Sequence, residues 1–343
     1  MSKVLSLPEV YELAFDALVA SGASPENAAG VAVSVREAEA DGLHEIGLGF
    51  LPAYCRDLFS GLVDGQARPE RRENTPAAIY VDARHGFAHP AFIAGEEALC
   101  AAARKNGIAA LGIGNSYSSG VLGFFADRIA RAGLIGLAAT NSFALMAPWG
   151  GSKAVFGTNP IAAAFPRKDG PPVVIDLSSS TTAWVNVKAA ADRGDKIPPD
   201  WAFDESGHPT TDAKDALKGT MAPLGGPKGC ALALLVEVLA AGLTGACWSY
   251  EAGVRIENGM PQGIGQFFLA IDPMVFGAGS FEQRLETLLT TILAQEGVRL
   301  PGDRRRAARA EAEAKGIEVD KALYEELLGY TAGKPTDPQC GPR

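Results

Sequence analysis

Residues 134–177 constrain the fold more than any other stretch. Three short apolar runs, 134–139, 161–165 and 173–177, read as strands, each ending in a turn rich in Gly, Pro, Ser or Asn. Runs of this length bounded by such residues are the pattern of strands in a packed sheet. The turns let backbone approach a ligand closely and aim bare N–H groups at it. The same residues also serve ordinary tight turns of a large α/β unit, and spacing alone leaves both readings open.

The flanking sequence alternates helix and strand patterns. Ser6 and Glu9 have capping-box spacing with Pro8 in the first turn, and Val10, Leu13, Ala14, Ala17 and Leu18 form one apolar face, so 6–21 reads as a helix. A second helix is predicted from Ser24, Pro25 and Glu26 to Asp41, stopped by Gly42. Residues 55–75 read as helix and then a polar linker. Strand and turn are predicted over 77–90, helix over 91–107, buried strand over 108–115, and turn plus helix over 114–133. Further on, 265–277 reads as strand and turn, 281–297 as an amphipathic helix, and 331–343 as a disordered tail.

Composition narrows the chemistry. The chain has 343 residues and a net charge of −9, which leaves no basic face for nucleic acid and favours a small-molecule substrate. Its five cysteines are scattered without CxxC spacing, against a zinc site or a disulfide framework. His85 and His89 are four apart but sit in a loop-like stretch before Pro90, so no metal is expected. The start lacks a signal-like apolar region, and the longest apolar run, near 230–247, is interrupted by Glu237 and glycines. A cytoplasmic protein with no membrane span is the expectation. Gly112 and Gly114 suggest a dinucleotide fingerprint, but Tyr117 occupies the third glycine position.

PWGG (148–151), GTNP (157–160) and VIDLS (174–178) resemble the core of the type 2 malate/L-lactate dehydrogenases. That family comprises nicotinamide-dependent reductases of 2-oxoacids and cyclic imines, and the similarity extends over nearly the whole chain. It implies an α/β fold that binds NAD(P) without a Rossmann arrangement. It also implies a helical domain built from both chain ends (1–75 with 298–343) around an α/β domain (76–297), and an interwoven homodimer with the active site near the subunit boundary.

The resemblance assigns Thr158 to substrate, and Asp176, Leu177 and Ser178 to cofactor. Ser118, Ser119, Gly120, Val121 and Leu122 match the segment that touches nicotinamide and phosphates. Ser118 also reads as a plain helix cap. Lys228 and Gly229 fall at a helix start suited to a phosphate. Arg299, Arg304 and Arg305 either meet a cofactor phosphate or form a solvated face. NADP is favoured by serines 178–180 and arginines 304–306, with NAD open.

The departures from the pattern are concentrated. Gly47, Leu51, Pro52 and Tyr54 match, but the family's proton-donor His falls on Ile46, its Ser partner on Glu45 and its substrate-binding Arg on Phe50. A later Arg-Gly-Asp falls on Trp184, Val185 and Asn186. Isoleucine donates no proton and phenylalanine pairs with no carboxylate. A protonated imine needs no donor at the hydride step, so an imine suits this site better than a ketone. Phe50 and Trp184 are expected to make one apolar pocket, with Ile46, Tyr117, Thr158 and Asn186 also facing substrate. The alternatives are a 2-oxoacid reductase with a relocated acid (His44, Glu45, Tyr54 or Tyr117) and a cofactor-binding protein without redox activity.

Overall fold

The computed structural model describes residues 2–277 and 279–334. A short strand β1 (Lys3–Leu5) precedes helices α1 (Leu7–Ala20), α2 (Pro25–Ala40) and α3 (Leu51–Ser60). The predicted capping box forms: Ser6 Oγ accepts the Glu9 N–H, and Glu9 accepts the Ser6 N–H. Strands β2 (Glu70–Thr75) and β3 (Ala78–Asp82) lead to α4 (Ala88–Asn106), β4 (Ile108–Ser116) and α5 (Leu122–Arg131). Next come β5 (Ile135–Thr140), β6 (Ile161–Phe165) and β7 (Val173–Leu177).

A smaller lobe holds α6 (Trp184–Arg193), β8 (Ala202–Phe203), α7 (Ala213–Ala216) and β9 (Thr220–Met221). Helix α8 (Pro227–Glu237) runs into a π-helical turn, Val238–Gly242, followed by α9 (Ser249–Glu257) and β10 (Ile264–Ile271). The chain closes with α10 (Phe281–Leu293), α11 (Asp303–Lys315), β11 (Ile317–Val319) and α12 (Lys321–Thr331).

The main sheet has the order β2-β3-β4-β10-β5-β6-β7. Among the described residues only β3 and β4 run parallel, and they are joined by the α4 crossover that a parallel pair requires. The other pairings are antiparallel. Phe92 and Leu99 from α4 and Phe125 and Ile129 from α5 bury against Phe268 and Leu111 of the sheet. Val236 and Ala240 bury against Ala139. A separate apolar cluster joins the two chain ends, with Leu13, Leu18, Leu51 and Tyr54 packed beside Ile317, Leu327 and Tyr330. Strand β1 pairs with β11, tying the ends together.

Strands β5–β7 lie where the apolar runs predict them. Two expectations need correction. The polar linker ends in strand β2, an edge strand paired only with β3. Charges on an edge deter pairing with other chains and hide the strand from any hydropathy pattern. His89 belongs not to a loop but to the first turn of α4. The tail beyond residue 334 lies outside the described residues.

Candidate active site

The turns after β5 and β7 and the start of α8 are stitched into one surface. Ser179 N–H donates to Thr158 O at 2.8 Å, and Leu224 N–H donates to Ser179 O at 2.8 Å. Asn159, in the left-handed region at φ 34°, donates from Nδ2 to Ala233 O at 3.0 Å. Gly229 is needed at this seam, because a Cβ there would stand 2.4 Å from Leu224 N and 2.7 Å from Ser179 O. Half-buried Thr158, Ser178 and exposed Lys228 therefore come together from three distant segments. The serine hydroxyls are already engaged, Ser178 Oγ with Ser180 and Ser180 Oγ with Thr182 O. The Thr182 Oγ1 atom accepts from Asn186 Nδ2 at 2.8 Å.

A second grouping lies at the α5 start. Val121 is its N-cap without a side-chain bond, and in the first turn the Gly123 N–H is taken by Asp176 Oδ2 at 3.0 Å and the Phe124 N–H by Val121 O at 3.2 Å. Ser118 does not cap this helix, because it stands ahead of the N-cap Val121; its Oγ accepts a long 3.5 Å bond from Gly120 N–H. Ser119, Val121 and Leu122 are buried. Gly120 sits at φ 61° with its missing Cβ 3.1 Å from the Tyr54 hydroxyl.

Asp176 belongs to β7 itself and is not a strand-end cap. Its Oδ2 accepts from Gly123 N–H at 3.0 Å and from Arg305 at 3.3 Å. A cleft of about 300 Å³ opens beside this pair, lined by Val121, Gly123, Val174, Arg305, Arg306 and Arg309. Arg309, one turn beyond Arg305, bonds Asp41 at 2.6 Å and Glu37 at 2.7 Å on α2, so α11 braces both walls. Burial works against the Glu37 charge, yet the guanidinium groups of Arg36 and Arg309 hold its pKa low, whereas burial wins at Asp41 and raises it. Arg306 is engaged by Asp303. Arg299 and Arg304 are exposed and do not line this cleft.

The third grouping is the 43–50 turn. Glu39, 2 % exposed in its side chain, accepts Leu48 N–H at 2.6 Å and pairs with His44 Nδ1 at 2.5 Å. That hydrogen bond raises the His44 pKa, against a smaller effect of burial. Glu45 and Asn186 line one cleft of about 460 Å³ together with Arg193, Lys196 and Trp201. Ile46 is half-buried on the same turn.

The expected shared aromatic wall is divided. Phe50 packs edge-on to Tyr54 at 5.0 Å within the cluster of the chain ends, while Trp184 meets Phe143 at 6.3 Å and packs on the core of the smaller lobe. Each ring is held by its own core. Tyr54 and Tyr117 are buried, with burial pushing both phenols up, and the Tyr117 hydroxyl is further held by Asp57. Neither is a ready acid near neutral pH. Sequence reasoning missed Glu39, Arg309 and the α2 carboxylates. The Arg305/Arg309 spacing of one helical turn was the available signal.

A family model described as malate/L-lactate dehydrogenase matches residues 5–328. A (2R)-3-sulfolactate dehydrogenase (NADP(+)) of Chromohalobacter salexigens is 43 % identical over 97 % of this chain and all of the relative. A Δ1-pyrroline-2-carboxylate reductase of Ancylobacter novellus is 41 % identical over 94 % of this chain and 96 % of its own length. The crystal structure of a Δ1-piperideine-2-carboxylate reductase from Pseudomonas syringae pv. tomato superposes with a TM-score of 0.91 at 37 % identity, covering 96 % of this chain and 99 % of the other. No helix among the described residues is long and apolar enough to cross a membrane. The chain therefore belongs to the malate/L-lactate dehydrogenase family.

Proposed function

We propose that the protein is an NADP-dependent oxidoreductase that reduces a cyclic imine or a related imino acid. The observation that carries this is the pairing of an intact family framework with Ile46 and Phe50 where the family has its acid and its guanidinium. The names of the sulfolactate dehydrogenase and pyrroline-2-carboxylate reductase relatives support both the NADP and the substrate class.

The cofactor would lie without any parallel dinucleotide fold, between the α5 start and the α8 start. Its fit rests on geometry: the α5 N-terminus beside Gly120, the Asp176 carboxylate, the 300 Å³ cleft with Arg305, and Lys228 beside the close-packed Gly229. NADPH would supply the hydride. Thr158 would hold the substrate carboxylate with its hydroxyl, and Ile46 and Phe50 would exclude water from the reacting carbon. An iminium substrate accepts hydride without a proton, so a site lacking the family histidine remains competent for it.

The Glu39–His44 pair favours a second reading, a ketone reductase with a relocated acid. A carboxylate fixes Nδ1 and leaves Nε2 to donate, with the pKa raised toward working pH. Loss of NADPH absorbance with Δ1-pyrroline-2-carboxylate, Δ1-piperideine-2-carboxylate, pyruvate and sulfopyruvate tests both. Turnover of the cyclic imines supports the first reading; efficient reduction of the oxoacids alone overturns it. NADPH binding without any turnover would make this a non-redox member.

We further propose a helical unit from both chain ends, an α/β unit between them, and a homodimer. The apolar side chains of Leu234, Leu235, Val238, Leu243 and Val254, all about half-exposed along α8, the π turn and α9, form a face that a second copy would cover. The free thiols of Cys55, Cys100, Cys230 and Cys247 suit the reducing cytoplasm.

A further inference from the structure

Glu237 closes α8 and is only 4 % exposed, yet no cation pairs with it among the described residues. Four bonds from neutral donors hold it. Oε2 accepts from Asn159 Nδ2 and Ser249 Oγ, each at 2.6 Å; Oε1 accepts from Ser249 N–H at 2.6 Å and Asn141 Nδ2 at 3.4 Å. Burying a carboxylate is costly unless every lone pair is met, so a charge held in this way needs a reason beyond packing.

Its partners indicate that reason. Asn159 is the left-handed residue next to Thr158, and its amide orientation is forced: Nδ2 faces two acceptors, Glu237 and Ala233 O, leaving Oδ1 buried without a partner. The carbonyl of Asn159 accepts from Ser179 Oγ at 2.7 Å, and that of Thr158 accepts from Ser179 N–H. Asn141 in turn takes Gly265 N–H on its Oδ1 at 2.9 Å.

We propose that Glu237 is the positioning residue of the site: its carboxylate fixes the Asn159 turn and thereby sets Thr158 against the Ser178–Ser180 segment. Substrate and cofactor halves are registered through one buried charge that touches neither. The proposal rests on the oxidoreductase reading for its kinetic consequence but not for its structural one.

The substitution Glu237→Gln keeps the shape and places an N–H donor against donors. Hydrogen-exchange mass spectrometry should then show faster exchange in peptides covering 157–160 and 178–180, with β3 and β4 unchanged. With an imine substrate, kcat/KM should fall roughly tenfold or more, since sub-ångström misplacement is enough, while the NADPH Kd moves far less. Asn159→Gly keeps the left-handed backbone and removes the amide through which Glu237 acts, so it should give the same exchange pattern and kinetic loss, and adding Glu237→Gln to it should deepen neither. Unchanged exchange at 157–160 and 178–180 in the single variants, or losses that add in the double variant, overturns the proposal. A wild-type protein that reduces no imine or oxoacid would refute the oxidoreductase reading alone, because the exchange result stands apart from turnover.

Discussion

His89 should make the protein acid-sensitive, by an amount that can be worked out. The ring is 1 % exposed, lies against Phe124 and Phe125, and has no hydrogen-bond partner on either nitrogen. Burial alone drives its pKa from 6.5 to about 3. The folded form therefore resists protonation while the unfolded chain accepts a proton below 6.5, so stability is lost as pH falls from that value toward 3. Between pH 7.5 and 5.0 the linkage integral gives about 2 kcal/mol of lost stability.

At roughly 2 cal/mol/K of unfolding entropy per residue, that corresponds to a melting-point difference of about 3 °C for a chain of 343 residues. His89→Leu removes the titrating group and two unmet polar atoms from an apolar site. Denaturant melts of both proteins across pH 5.0–7.5 isolate the histidine, because all other groups cancel in the difference. The variant should gain about 2 kcal/mol relative to wild type on going to pH 5. A difference that stays flat with pH would mean that the folded ring takes up its proton, and the burial argument would fail.

Other consequences follow from the site. Phe50→Arg should lower KM for small 2-oxoacids about tenfold, the scale of a charge-assisted bond; an unchanged KM would detach position 50 from the substrate. His44→Ala should leave imine turnover within a few-fold, whereas a relocated acid would cost about a hundredfold or more. Glu39 raises the His44 pKa, so the imidazolium and its stabilising pair are fully present below the unfolded value and are lost as pH rises through the raised one. Glu39→Gln should move that loss to lower pH in a histidine NMR titration, and an unmoved titration would dissolve the pair. Arg305→Met should weaken NADPH binding about tenfold and NADH binding much less; equal losses would place the 2′-phosphate elsewhere.

The strands around the site were legible because apolar runs of five or six residues end in turn-forming residues, and β5, β6 and β7 fall there. The first helix was legible from its capping box. Strand β2 was not, because Glu70, Arg71 and Arg72 stand exposed at an edge and carry no alternating signal. Motifs named Thr158, Asp176 and Lys228 as candidates, but no local pattern reports that Arg309 reaches back to Asp41, a contact across 268 residues. The same holds for Glu237, which reads as an interruption of an apolar run and proves to be a buried junction. Phe50 and Trp184 were read as neighbours because both replace arginines, and only packing separates them.

The most direct test of the account is a crystal structure with NADPH and an unreactive imino-acid analogue bound. The predicted result is a cofactor running from Arg305 past Gly120 to Thr158, with Ile46 against the nicotinamide and no histidine nitrogen within hydrogen-bonding distance of the analogue. A dinucleotide bound elsewhere, or His44 seated over the nicotinamide, would contradict it.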